Sequence, residues 1–326
     1  MLLRRLGFYL GAAWAAITLN FVIPRLMPGN PADVIINQLQ QKQRVTPTQI
    51  TQVHRLFGGD SRPLWQEYFR YWGQLAHGNL GISVTFYPSP VLNVIKTGFL
   101  WTVLLVGICT VLAFVIGTAL GIVTGWRPGR RLDSILTPTS LFVHAVPYFW
   151  FALILALVFG FKLGWLPLGG GMDPNVSVGF TWAFISSAIT HAILPAVTIV
   201  GTSINGWLIG MRNMMITTVN EDYVLLAKGK GLKERRVIFS YAARNAILPN
   251  ISSFAISIGM VVGGSLLTEM VFNYPGLGNL FSQAVANLDY PLMQALFLLI
   301  SLTVLAANFI ADSVYVLIDP RTREGE

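Results

Sequence analysis

Hydrophobic positions fall in six long blocks, at roughly 6–27, 98–125, 135–160, 182–211, 246–272 and 292–318. About 20 consecutive apolar residues suffice for a helix to cross a bilayer. Backbone groups that meet no water must be satisfied within the segment, so each block is predicted to be a helix. The first block follows Arg4 and Arg5, a pattern shared with signal peptides. Met27-Pro28-Gly29-Asn30-Pro31 at its end is a poor cleavage site, and the block is read as a retained helix.

Between the blocks the polar segments differ in sign. With the N-terminus inside, the inside segments hold Arg4, Arg5, Arg127, Arg130, Arg131, Arg212, Lys228, Lys230, Lys233, Arg235, Arg236, Arg244, Arg321 and Arg323, and the short outside loops hold only Lys162. The excess of Lys and Arg marks the cytoplasmic side, which puts both termini there. Trp101, Trp165 and Trp182 fall at outer edges and Trp126 at an inner one, as interfacial anchors do. The organisation expected is therefore a first span over 1–27, an extracytoplasmic segment over 28–97, a five-helix region over 98–318 and a cytoplasmic tail over 319–326. In the outside segment, Thr46-Pro47-Thr48-Gln49 reads as a capping box with Pro at the first helical position, opening a helix to Phe57. A second helix starts near Pro63 and ends at Gly78, with Leu64, Trp65, Tyr68, Phe69, Trp72 and Leu75 as its apolar face. The segment reads as a small lid packed on the helix ends, which is compatible with a docking surface for an extracytoplasmic partner.

Composition sharpens this picture. Of 326 residues, 54% are hydrophobic and 11% charged, with mean hydropathy +0.61, against about 25% charged in soluble domains. The formal net charge of +8 sits between apolar blocks rather than on one face, which argues against nucleic acid. The single cysteine, Cys109, excludes an internal disulfide. Within the blocks Glu269 and Asp312 are nearly the only ionisable residues, both near block ends, where interfacial capping or a local ion pair accounts for them. His144 and His191, close to Pro147 and Pro195, read as structural. No HExxH, phosphate loop or Ser–His–Asp pattern is present. An ion-coupled carrier and a membrane enzyme are both disfavoured by this scarcity. No catalytic residue, metal ligand or cofactor site is assigned in the chain, and no substrate-binding residue is identified. Gly117, Gly121 and Gly125 form a small-xxx-small ladder that signals close helix packing.

The most organised polar segment is 212–245. Thr218-Val219-Asn220-Glu221 reads as a capping box opening a short helix, on which Val224, Leu225, Leu226 and Ala227 form an apolar patch before Gly229 and Gly231 break it. Lys233 begins a second amphipathic stretch into Ile247-Leu248-Pro249. Such a patch calls for cover, either by an anionic membrane surface or by a groove on a soluble partner.

The run Glu221-Asp222-Tyr223 through Ala227-Lys228-Gly229-Lys230-Gly231-Leu232, with Arg235-Arg236 and Arg244-Asn245-Ala246-Ile247-Leu248-Pro249, resembles the cytoplasmic loop of binding-protein-dependent ABC transporter permeases. The similarity is greatest to the first permease subunit of the dipeptide/oligopeptide subfamily and covers nearly the whole chain. Met27-Pro28-Gly29-Asn30-Pro31, Gly78-Asn79-Leu80-Gly81 with Ser83, Tyr274-Pro275-Gly276-Leu277-Gly278, and Asp312, Tyr315 and Asp319-Pro320-Arg321 match further motifs of that subfamily, in order. The chain departs from it at Leu225-Leu226-Ala227, where the general signature has Glu-Ala-Ala, and at Asn30 and Asn79, where Asp is usual.

The resemblance implies an all-α integral membrane protein with six transmembrane helices, a helical extracytoplasmic insertion and a cytoplasmic coupling-helix loop. It implies one half of the translocation pathway of an ATP-driven importer of di- or oligopeptides, with oligosaccharides or nickel complexes handled by some members, in a bacterial or archaeal cytoplasmic membrane. The expected partners are a second homologous permease subunit, two ATP-binding subunits that hold ATP and Mg, and an extracytoplasmic solute-binding protein. Coupling to the ATPases is expected through Glu221, Asp222, Val224, Leu225, Leu226, Ala227, Gly229, Gly231 and Leu232.

Overall fold

The computed structural model describes residues 2–26, 63–263 and 265–318, together with 32, 33, 36, 40, 46–48, 50 and 51. The motif Met27-Pro28-Gly29-Asn30-Pro31, Gln49 and the stretch 52–57, and Asp319-Pro320-Arg321 lie outside the described residues, as do the side chains of Asp312 and Tyr315. Among the described residues the regular structure is helical, apart from an isolated bridge between Ile82 and Pro90. The chain divides into two compact units. One comprises 1–102, 262–266 and 275–309, the other 103–261, 267–274 and 310–326.

In the first unit, α1 (Leu2–Arg25) carries α2 (Leu64–Ala76) on its flank. Tyr68, Tyr71, Trp72 and Leu75 of α2 pack with Ile17 and Phe21 of α1. Tyr68 and Thr18 share a 2.8 Å hydrogen bond, and Arg25 pairs with Glu67 at 3.2 Å. The buried face is thus rotated from the one the sequence suggests. Tyr71 is buried, whereas Leu64, Trp65 and Phe69 are exposed. Residues 68, 71, 72 and 75 form the narrow i, i+3, i+4, i+7 stripe that one neighbouring helix can cover.

After α2, the segment 77–90 is held by polar contacts. Asn79 Oδ1 accepts the Gly81 amide at 3.0 Å, a role that needs an oxygen and no charge, so Asn serves where Asp is usual. Ser83 donates to Asp289 Oδ2 at 2.5 Å, the same oxygen accepts the Thr85 amide at 2.9 Å, and Asp289 Oδ1 accepts the Leu292 amide at 3.1 Å. Ser83 and Asp289 are fully buried. The unit's core gathers Val91 and Ile95 with Leu277, Leu280 and Ala284 of α10 (Leu277–Ala286) and Leu292 and Leu296 of α11 (Tyr290–Ile318). Thr102 Oγ1 accepts the Leu277 amide at 2.7 Å, which fixes the start of α10.

α3 (Val91–Trp126) begins in the first unit and continues through the second. Its 36 residues span about 54 Å, well beyond a hydrocarbon core of about 30 Å. α6 (Trp182–Val219), also in the second unit, has 38 residues. The two cross at the glycine ladder. A Cβ added to Gly121 would lie 2.6 Å from the Leu208 carbonyl oxygen and 2.6 Å from Met211 Cβ. Only glycine allows that approach.

The block 135–160 is not one straight helix. α4 (Arg131–Ala145) and α5 (Tyr148–Leu155), which continues as a π-helix over Ala156–Lys162, meet at 96°. The break falls at Val146-Pro147, because a residue before proline disfavours the helical region and proline offers no N–H to the preceding turn. Block 246–272 is interrupted as well. α8 (Leu248–Met260) passes into a single 3₁₀ turn, Val261–Gly263, and α9 (Leu266–Val271) follows. Glu269 of α9 is wholly buried. His191 lies inside α6, its Nδ1 2.8 Å from the Ser187 carbonyl. α3, α6 and Tyr290–Phe309 are each long and apolar enough to cross a membrane, and the bent α4–α5 pair qualifies as one broken span.

Candidate functional site: a short helix moored to two long ones

α6 runs through Thr218, which is buried in its last turn, so the Thr218 capping box does not form. Met211, Met215 and Thr218, at i, i+4 and i+7, are all buried and hold that face of the helix inward past Arg212. The join to α7 (Asp222–Gly229) is only two residues, Asn220 and Glu221. Asn220 and Glu221 donate their amides to the Thr217 and Thr218 carbonyls. Glu221, in extended conformation, is the N-cap of α7 and makes no side-chain cap. Asp222 in the first turn and Lys228 in the last suit the helix dipole.

The expected apolar patch divides by helical phase. Val224 and Ala227, three apart, are buried at 0% and 3% exposure, whereas Leu225 and Leu226 stand 49% and 65% exposed. Val224 and Ala227 enter a core with Met211 and Met215 of α6, Ile122 and Trp126 of α3, and Val237, Ala242, Ala243 and Ala246. Those last four belong to the returning segment Glu234–Arg236, Val237–Ala242 (π) and Ala243–Ala246. Burying an apolar side chain of Val size contributes about 1.5–3 kcal/mol. α7 is thus joined to two long helices by packing as well as by chain. Leu225 and Leu226, with Asp222, Gly229 and Lys230, line a shallow concavity on its outer side.

The end of α7 is a Schellman turn. The Gly231 amide bonds the Lys228 carbonyl at 2.9 Å and the Leu232 amide reaches the Ala227 carbonyl at 3.4 Å. Gly231 has φ +69°, the left-handed conformation that side chains disfavour. Leu232 folds back onto the same core. Gly229 is the last helical residue and has no such constraint.

Polar contacts the sequence reading missed brace this mount. Glu234 Oε1 accepts from Trp126 Nε1 at 2.8 Å and from Arg127 Nη2 at 2.6 Å. The indole hydrogen bond first, then the guanidinium, hold the Glu234 carboxyl below its ordinary value. Lys228 Nζ sits 4.8 Å above the Trp126 ring. Arg212 grips Asp133 with two bonds, 2.5 Å from Nε and 2.8 Å from Nη2, while the Gly129 amide and Thr137 hydroxyl satisfy the same carboxylate at 2.8 and 2.7 Å. Asp133 is buried, so this pair ties the start of α4 to α6. Their sequence separations, 79 and 107 residues, put them beyond any local pattern. Among the described residues, no three His, Cys, Asp or Glu side chains gather in a way that could hold a metal ion. The arrangement presents an exposed two-leucine face on a helix packed against the ends of α3 and α6.

Residues 117–324, which include this whole mount, match the family described as binding-protein-dependent transport system inner membrane component. Similarity to individual proteins extends further. The oligopeptide transport system permease protein AppB of Bacillus subtilis is 33% identical over 303 residues, covering 93% of this chain and 92% of that one. The di/tripeptide transport system permease protein DppB of Pseudomonas aeruginosa is 34% identical over 335 residues, covering 98% and 97%. The dipeptide transport system permease protein DppB of Escherichia coli is 30% identical over 342 residues, covering 99% and 98%. The chain belongs to the family of binding-protein-dependent transport system inner membrane components.

Proposed function

We propose that this chain is a permease subunit of an ATP-driven importer of peptides, forming half of the translocation pathway. The observation that carries this reading is similarity over more than nine-tenths of the chain to permeases named for oligopeptide and di/tripeptide transport. In this reading six spans cross the cytoplasmic membrane with both termini inside, and the bent α4–α5 pair is one of them. The distribution of Lys and Arg supports that orientation. A second, related permease subunit completes the pathway. Two separate subunits bind ATP and Mg and hydrolyse the nucleotide, and a solute-binding protein delivers peptide from outside. This chain is the transport subunit rather than the catalyst.

α7 is the coupling element, and its exposed Leu225 and Leu226 seat in a groove on an ATP-binding subunit. Closure of the nucleotide-bound ATPase pair moves α7. Its core with Met211, Met215, Ile122 and Trp126 carries that motion into α6 and α3. Nucleotide biases the inward- and outward-open states by binding them differently.

The test is uptake of a radiolabelled tripeptide by proteoliposomes holding the full set of subunits and the binding protein. Accumulation should require ATP and stop with a non-hydrolysable analogue. Uptake that is indifferent to ATP but follows a proton or sodium gradient would contradict the proposal. Orientation is read separately on a Cys109→Ser background. A membrane-impermeant thiol reagent added outside sealed cells should label a cysteine placed at position 283 and spare one at 232.

A further inference from the structure

A cleft of about 470 Å3 opens in the second unit between α3, α6 and α8. It is within the range of small-ligand sites, about 300–1,000 Å3. Its polar lining is Thr110 from α3, Ser203 and Trp207 from α6, and Asn250, Ser253 and Ser257 from α8. Gly206 and Gly210 form part of its wall on α6. None of these residues is charged. Thr110 lies near the middle of α3 and Ser203 just past the middle of α6, with Trp207 one turn further along.

Earlier on α6, Ile185, Ile189 and Ile193 stand exposed. Eighteen residues make five helical turns, so Ser203 and Trp207 lie on the same face as Ile185 and Ile189, further along. That face changes from aliphatic to polar in mid-helix. A hydroxyl facing hydrocarbon without a partner is costly, so the exposed Ser203 of α6 and Ser253 of α8 point to water or a polar solute. The other polar groups of the lining have partners within the protein. Thr110 and Ser257 donate their hydroxyl protons to the carbonyls of Val106 and Ser253, at 2.7 and 2.9 Å, which leaves oxygen lone pairs as acceptors. The Asn250 amide is held by the Trp207 carbonyl at 3.2 Å. The Trp207 ring is braced edge-on by Phe114 at 5.3 Å and Phe254 at 6.3 Å.

We propose that this cleft is a subsite of the translocation path that binds the backbone amides of a passing peptide through neutral hydroxyl and amide groups, without reading side-chain charge. The inference rests on the peptide-importer reading. Every peptide presents the same N–H and C=O groups, which Ser, Thr and Asn can meet. A charged lining would instead hold peptides of opposite sign and repel those of its own.

Gly206 supplies the test, because a Cβ added there meets nothing within 4 Å. Gly206→Leu therefore puts bulk into the cleft from a Cβ that meets no protein atom. The complete transporter is reconstituted in proteoliposomes, and uptake is measured for Ala-Ala-Ala, Ala-Lys-Ala and Ala-Glu-Ala. Gly206→Leu should lower uptake of all three tenfold or more, with subunit assembly unchanged. In a Cys109→Ser background, the cysteine of Ser203→Cys should react with a charged methanethiosulfonate and be protected by Ala-Ala-Ala. Parental uptake of the three peptides with undiminished uptake by Gly206→Leu would overturn the subsite and leave the importer reading standing. Loss confined to one charge class would overturn charge-blind recognition. Labelling of position 203 by an apolar maleimide alone would make the cleft lipid-facing or subunit-covered and overturn the proposal. If the parental transporter takes up none of the three, the importer reading fails and the subsite with it.

Discussion

Gly231 is the position where local geometry and proposed function are most tightly joined. Its φ of +69° places it in the left-handed region, and no atom lies within 4 Å of an added Cβ. An added Cβ there meets no obstacle, so the penalty is chiefly conformational. Left-handed backbone costs a non-glycine residue about 1–2 kcal/mol, with Asn penalised least and a β-branched residue most. The order of disruption should be Asn, then Ala, then Val. If the turn opens, the Leu232–Ala227 and Gly231–Lys228 bonds are lost and Leu232 leaves the core that seats α7. A loss of 1–2 kcal/mol changes a two-state ratio by about 5–30-fold, and apparent affinity falls with the competent fraction. Membrane insertion should be unaffected, because the turn lies at the end of α7 and outside the long helices. The assay is titration of ATP-binding subunits onto the permease in nanodiscs. Gly231→Val should weaken binding roughly tenfold or more and uncouple hydrolysis from uptake, with Gly231→Asn close to parental. Equal affinity across Asn, Ala and Val would refute the argument that this turn shapes a docking element.

Three further outcomes are expected. Gly121→Ala should force α3 and α6 apart, since its Cβ would sit 2.6 Å from the Leu208 carbonyl oxygen, whereas Gly107→Ala finds its nearest neighbour at 3.8 Å; overpacking of this kind costs about 1–3 kcal/mol, and thermal unfolding in detergent should separate the two variants. Asp289→Ala removes the acceptor for Ser83, Thr85 and Leu292, a loss of about 1.5–3 kcal/mol for each charge-assisted bond before relaxation, and limited proteolysis should then cut within 77–90 faster than in the parent. Tyr71→Asp, at a buried site, should detach α2 from α1, while Phe69→Asp, exposed at 66%, should not; intact protease resistance in the first or loss in the second would contradict the packing described.

Long apolar runs announced α3 and α6, because twenty or more such residues leave no alternative in lipid. Their ends were less legible. Met215 and Thr218 continue the buried stripe of α6, but Thr218-Val219-Asn220-Glu221 imitates a helix start, a local signal that runs against the 3.6-residue period. Pro147 lay in plain view inside an apolar block, and its consequence, a 96° bend, follows from backbone sterics that hydropathy does not register. The apolar patch on α7 was legible as composition, and Gly231 as its stop. The division between buried Val224 and exposed Leu225 depends on where α3 and α6 stand. Asp289 with Ser83, Asp133 with Arg212, and Glu234 with Trp126 pair residues 79 to 206 positions apart. One sequence carries no signal for such partners.

Whether α7 docks on an ATP-binding subunit is read by cross-linking. On a Cys109→Ser background, a benzophenone is attached through a cysteine at position 226, where the native leucine is 65% exposed, and through one at position 178, where the native valine is 74% exposed. Illumination of the assembled transporter should yield an adduct between position 226 and an ATP-binding subunit, and no such adduct from position 178. Adducts from position 226 with phospholipid alone would contradict the account and make α7 a membrane-surface helix instead.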